Sequence, residues 1–177
     1  MNRKVLCVDD DANILEAYQR NLRKQFSIDT APGGEPALAL MDSRGPYAVV
    51  VADMQMPGMN GVEFLIQSQR TAPDTARIML TGNADQKTAV EAVNKGHIYQ
   101  FLNKPCPPAM LALALENGIR QHSLITAERE LLENTLNGSI KMLTEVLAST
   151  DPQSFGRGEL LRNSMRAFAQ SLKITQT

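Results

Sequence analysis

Several things are scarce in this chain, and each scarcity removes a class of function. No apolar run approaches the ~20 residues that a membrane-spanning helix requires, so a membrane partner is not expected. Met1-Asn2-Arg3-Lys4 leads straight into a short apolar strand, so no secretory leader is expected, and a cytoplasmic location is the expectation. There are only two cysteines, Cys7 inside an apolar stretch and Cys106 after a Lys-Pro pair, too few for a disulfide framework. Only two histidines occur, His97 and His122, and neither has a second metal ligand near it in sequence. Packed or solvated roles are therefore expected for both. Net charge is −1, so bulk charge offers nothing to a nucleic acid or an acidic membrane. The last part of the chain balances Arg129, Lys141, Arg157, Arg162, Arg166 and Lys173 against Glu128, Glu130, Glu133, Glu145, Asp151 and Glu159. No basic stripe of the kind DNA binding uses is present there.

What the chain does have is a regular alternation of apolar strands and amphipathic helices over roughly its first 120 residues. Lys4–Val8, Phe26–Thr30, Tyr47–Ala52, Arg77–Leu80 and Ile98–Leu102 read as five strands. Between them run helical patterns carrying Ile14, Leu15, Tyr18 and Leu22, then Ala37, Leu38, Leu40 and Met41, then Val62, Phe64, Leu65 and Ile66, then Ala84 to Lys95 with Gly96 as its stop. Tyr47–Ala52 is the most continuous apolar run, which predicts a central strand covered on both faces. Five such repeats predict an α/β fold: a flavodoxin-like, doubly wound, five-stranded parallel sheet.

In such a sheet the strand ends gather along one edge, and ligands bind there. Four strand ends carry chemistry: Asp9-Asp10-Asp11, Asp53-Met54-Gln55-Met56-Pro57-Gly58, Thr81-Gly82 and Asn103-Lys104-Pro105. Three acids, a hydroxyl and an ammonium at one spot suit phosphoryl transfer to an aspartate with a divalent cation. The segment Asp53, Met56, Pro57, Gly61 fits the pattern Asp-x-x-Met-Pro-x-x-x-Gly. With Asp9-Asp10, Thr81 and Lys104-Pro105, it resembles the receiver domain of two-component response regulators.

That resemblance implies a full set of roles. Asp53 accepts the phosphoryl group, and Thr81 and Lys104 bond its oxygens. Mg²⁺ is held by Asp10 and Asp53 directly, by Asp9 mainly through water, and by the Gln55 carbonyl. The phosphodonor is a sensor histidine kinase or phosphotransfer protein. Asp11 is expected only to stabilise a helix N-terminus. Gln55 and Asn83 stand at positions that influence water access to the acyl phosphate in receivers, and because both are neutral amides the sequence leaves the lifetime of the phosphorylated form open. Phe101 occupies the place of an aromatic that moves with Thr81, with plain packing as its alternative, and Tyr99 is the other exposed-aromatic choice. Pro105 permits a cis peptide without deciding it.

A rival reading is an aspartate-nucleophile phosphatase of the haloacid-dehalogenase type. It would use Asp9 as nucleophile and Asp11 as acid/base in Asp9-Asp10-Asp11-Ala12. Asn13 departs from that family's Thr or Val, and no cap or later acidic pair is visible.

Residues 1–121 are expected to form the receiver and 122–177 a helical extension. From Ala109 to about Ser149 neither proline nor strand-like alternation occurs. Leu111, Leu115, His122, Ile125, Leu132, Leu136, Ile140, Leu143 and Leu147 recur at helical or near-heptad spacing, with Gly118, Arg129, Asn137 and Gly138 intruding. A homodimer through this helix is the expectation. Thr150–Gly156 should break it, and Leu160, Leu161, Met165, Phe168, Ala169 and Leu172 mark a last amphipathic helix. The stretch from Ser139 to Phe168 resembles the opening of an HD-type phosphohydrolase effector domain. Arg157 stands near the place of its first histidine ligand, and no His-Asp pair follows, so no hydrolase activity is expected. Either the chain is a piece of a longer regulator, or the tail serves dimerisation and docking.

Overall fold

The computed structural model describes residues 2–82 and 98–150. The expected helix at 84–95, Asn83, His97, and everything from Asp151 onward, including the last amphipathic helix and Arg157, lie outside the described residues. The chain divides into two compact units, one ending at Glu128 and the other beginning at Arg129.

The elements follow in the order β1 (Lys4–Val8), α1 (Ala12–Leu22), β2 (Ser27–Ala31), α2 (Gly34–Arg44), β3 (Val49–Asp53), α3 (Gly61–Thr71), β4 (Ala76–Thr81), β5 (Gln100–Asn103) and α4 (Pro108–Thr150). All strand pairs are parallel, and the sheet order is β2-β1-β3-β4-β5. This is the doubly wound, flavodoxin-like arrangement expected from the repeats.

Period-two alternation sorts the strand residues between two cores. On one face Val5, Cys7, Val49, Val51, Ile78 and Leu80 pack with Leu15 and Leu22 of α1 and with Leu111, Leu115 and Ile119 of α4. On the other, Leu6, Val8, Val50, Ala52 and Met79 pack with Ala37 and Met41 of α2 and with Phe64 and Leu65 of α3. Every residue of β3 is buried, as a strand covered on both sides must be.

Strand limits differ from expectation where side chains, not hydropathy, decide. Tyr47 and Ala48 are fully buried but precede β3. The Tyr47 hydroxyl donates to Asp29 Oδ2 at 2.6 Å, and its ring lies under the Lys4 ammonium, so Tyr47 anchors the entry to the strand. Phe26 likewise stands just before β2, buried, with Arg3 over its ring. At the other ends, β4 and β5 extend further than the apolar runs, so that Thr81 and Asn103 are themselves strand residues, in register with each other.

Helix α4 covers 43 residues. Pro108 opens it, where a missing N–H costs nothing, and Met110 N and Leu111 N donate to Pro107 O. The single apolar stripe read from the sequence is in fact two surfaces. Leu111, Ala114, Leu115, Ile119 and His122 are buried within the first unit. His122 Nδ1 lies 2.8 Å from the Asp74 carbonyl oxygen, a packed role as expected. Gly118, read as an interruption, is required by close packing: a Cβ there would sit 2.9 Å from Val49 Cγ2. Leu124 is exposed and Ile125 half-buried, and further along Leu131, Leu132, Leu136, Ile140, Met142, Leu143 and Val146 are exposed.

Helix α3 begins with a reciprocal cap. Asn60 accepts from Glu63 N at 2.9 Å, and the Glu63 carboxylate accepts from Asn60 N at 3.2 Å. The residue inside that cap is Gly61, and its amide donates to Met54 O at 3.1 Å. A Cβ on Gly61 would lie 2.0 Å from the Asp53 carbonyl oxygen, so only glycine lets the helix start this close to the end of β3. Gly61→Ala should therefore cost about 2 to 3 kcal/mol of stability, as overpacking against rigid backbone does. Urea unfolding followed by circular dichroism checks this; an unchanged midpoint would contradict the close approach.

Candidate functional site

The carboxyl-terminal ends of β1, β3 and β5 converge on one pocket. Lys104, just past β5, places its Nζ 2.9 Å from Asp9 Oδ2 and 2.9 Å from Asp53 Oδ1. The Lys104 amide donates to Thr81 O at 2.8 Å, which fixes the base of that side chain beside β4. The Lys104–Pro105 peptide is cis.

Asp9 is 1% exposed. A carboxylate so buried needs compensation, and both of its oxygens have it. Oδ1 accepts from Asp11 N at 3.0 Å, and Oδ2 accepts from Lys104. Asp11 in turn caps α1, accepting from Asn13 N at 2.8 Å. This is more specific than the helix-end role expected for it, because the same turn that starts the helix holds Asp9 in place.

Asp53 is 8% exposed, and Met54 N donates to Leu80 O, tying the end of β3 to β4. Burial pushes the Asp53 carboxyl above the usual range, while its bond to Lys104 and the ammonium's charge pull the other way. For Lys104, burial disfavours the ammonium, but its bonds to Asp9 and Asp53 outweigh that and leave its pKa raised. Both directions describe a lysine held charged by two acids, one of which is itself costly to ionise.

Asp10 is exposed and completes the acidic cluster: one oxygen from each of Asp9, Asp10 and Asp53 lies within 4.8 Å of the others. Carboxylate oxygens are hard donors, and solvent reaches the Asp10 side, so the set fits a cation such as Mg²⁺ that keeps part of its water shell. Gln55 is exposed in the loop after β3, where it lines a cavity with Met54, Met56, Pro57, Asn60, Val62 and Glu63.

Thr81 lies one residue beyond Leu80, the register partner of Asp53. It is 4% exposed, and its hydroxyl is turned to Met54 Sδ at 3.4 Å and Gly82 O at 3.2 Å. Thr81 is thus at the pocket's edge with its donor already engaged. Sequence reasoning did not single out Met54; strand alternation, which puts it on the face of Ala52, was the available signal. Phe101 is half-buried and packs in the core shared with Phe64, whereas Tyr99 is exposed.

The profile of the response regulator receiver domain matches residues 5–116. The hydrogenase transcriptional regulatory protein HoxA of Cupriavidus necator is 33% identical over 120 residues, which are 68% of this chain and 25% of that protein. The phosphoglycerate transport system transcriptional regulatory protein PgtA of Salmonella typhimurium is 30% identical, over 75% of this chain and 32% of that protein. The chain therefore spans a quarter to a third of the length of these curated relatives. Among solved structures, one described as adenylate cyclase from Rhodopirellula baltica superposes with a TM-score of 0.73 and 41% identity, covering 75% of this chain and 98% of that one. The signal receiver domain of an HD domain-containing protein from Pseudomonas fluorescens Pf-5 superposes with a TM-score of 0.65 and 34% identity, covering 70% and 99%. Receiver domains are phosphorylated by histidine kinases and bind Mg²⁺ through an acidic pocket. No helix among the described residues is long and apolar enough to cross a membrane. The phosphatase reading based on Asp9 finds no support in these matches, and the chain belongs to the response regulator receiver family of two-component signalling.

Proposed function

We propose that Asp53 is the phosphoacceptor of this receiver, and that a sensor histidine kinase or a phosphotransfer protein is its donor. The observation that carries the reading is Lys104 Nζ, 2.9 Å from both Asp53 and Asp9. An Asp53 oxygen attacks phosphorus in line; the P–O bond forms as the P–N bond of the donor phosphohistidine breaks, and its electron pair returns to the imidazole. Lys104 supplies a compact positive charge to a phosphoryl oxygen and releases its bond to Asp53 as it does so. Thr81 donates its hydroxyl to a second oxygen. Asp10, Asp53 and the Gln55 carbonyl would hold Mg²⁺, with Asp9 acting through water, since both Asp9 oxygens already have partners. When bound, the ion neutralises charge among the acids and on the phosphoryl oxygens.

The chain is a signalling receiver, and the only catalysis assigned to it is transfer to and from its own Asp53. Residues 1–121 form the receiver and 122–177 the extension that carries the signal onward in the cytoplasm. DNA contact is assigned to no part of this chain, because the charges of its last 55 residues cancel. The extension joins two copies. Leu132, Leu136, Ile140, Leu143 and Val146 are all exposed on α4, and apolar residues at such spacing are covered by a second helix.

Asp53→Asn should abolish incorporation from acetyl phosphate with Mg²⁺ while leaving the far-ultraviolet dichroism unchanged; acid-labile phosphate on the variant would refute the assignment. Lys104→Ala should still bind beryllofluoride but lose the accompanying change in amide chemical shifts. A response like that of the unsubstituted protein would remove Lys104 from the switch. Leu136→Asp with Leu143→Asp should halve the mass seen by light scattering, and an unaltered mass would reject the dimer through α4.

A further inference from the structure

The hydroxyl that the phosphoryl group needs is already in use. Thr81 Oγ1 has one proton to donate, and two acceptors lie within its reach: Met54 Sδ at 3.4 Å and Gly82 O at 3.2 Å. Thr81 is 4% exposed and Met54 6%, so water does not compete freely for either group. Met54 directly follows Asp53, and its backbone is pinned by Met54 N to Leu80 O at 2.9 Å and by Gly61 N to Met54 O at 3.1 Å. The thioether is thereby fixed on the same short stretch that carries the acceptor carboxylate. A thioether is a weak acceptor, one that orients a hydroxyl without holding it strongly.

Resting on the roles of Asp53 and Thr81 given above, we infer that Met54 is a positioning residue for the switch. Its sulfur parks the Thr81 hydroxyl in the unphosphorylated state and competes with the phosphoryl oxygen for the same proton. The strength of the acceptor at position 54 then sets how readily Thr81 turns toward a group on Asp53. A stronger acceptor favours the resting state, and an apolar side chain of the same size favours the phosphorylated one. Gly82 O remains as an alternative partner, so removing the sulfur releases Thr81 only in part. The effect belongs at the low end of what one hydrogen bond contributes, about threefold in an equilibrium constant.

The test is a double-mutant cycle read by beryllofluoride binding in the presence of Mg²⁺, with ¹⁹F NMR counting the bound fraction. Met54→Leu conserves volume and removes the acceptor; Met54→Gln supplies a stronger one. Affinity should rise about threefold for M54L and fall by a similar factor for M54Q. In a Thr81→Ala background both shifts should vanish, because no hydroxyl remains to be held. Equal shifts in the two backgrounds would show that Met54 acts only through packing and would overturn the inference. So would no shift in either. If the unsubstituted chain itself fails to bind beryllofluoride, the phosphoacceptor reading falls, and this inference falls with it.

Discussion

The buried pair of acids at the end of β1 and β3 is tolerable only because one ammonium serves both. Asp9 is almost wholly enclosed, Asp53 nearly so, and each places an oxygen 2.9 Å from Lys104 Nζ. Removing two carboxylates from water costs several kcal/mol each, and a cation shared between them recovers much of that cost while leaving both oriented. The arrangement stays unbalanced, with two negative charges against one positive and Asp10 adding a third acid at the rim. A site with surplus negative charge, hard oxygen donors and one exposed side is prepared for a divalent cation. In the proposed switch, the lysine leaves Asp53 once a phosphoryl group offers it other oxygens.

Only the strand order brings these groups together. Residues 9, 53 and 104 are remote in sequence, and β1 touches β3 because β2 has been placed outside it. β4 lies between β3 and β5, so Lys104 must reach over Thr81, and its amide is tied to the Thr81 carbonyl. The two cores make this edge rigid. Odd and even residues of β1, β3 and β4 face different helix layers, so no strand can slip by one residue without exposing a core. Gly61 and the Asn60–Glu63 cap hold the exit from β3 just as tightly, so the backbone of Asp53 has little freedom left.

Much of this could be read in the chain itself. The five apolar runs, the acids and lysine immediately after them, and the Met-Pro-x-x-x-Gly signature identify the sheet and the positions that meet at its edge. What periodicity cannot report is which surface an apolar stripe covers. Leu111, Leu115 and Leu136 recur alike, yet the first two are buried against the sheet and the third is exposed. Gly118 looks like a break in a helical seam until Val49 is seen beneath it. Tyr47 reads as strand because it is apolar and buried, but its hydroxyl bond to Asp29 makes it an anchor ahead of the strand. The Thr81–Met54 contact is a side-chain orientation, and no spacing rule encodes which rotamer a hydroxyl prefers.

The position of Lys104 also explains how a local event could travel. Three residues, Pro105, Cys106 and Pro107, separate it from Pro108, the first residue of α4, and two of the three are prolines with fixed φ. A connection that short and stiff absorbs little motion. Leu102, Leu111 and Leu115 share one core cluster, so β5 and the opening turns of α4 contribute to the same core. In the proposed switch, an ammonium that leaves Asp53 for a phosphoryl oxygen pulls on the short segment that leads into the opening turns of α4. Packed cores respond to such a pull by changing arrangement more than by yielding gradually. The exposed leucines that begin at Leu124 follow the lysine along the chain, Leu124 within the first unit and Leu131, Leu132, Leu136 and Leu143 within the second.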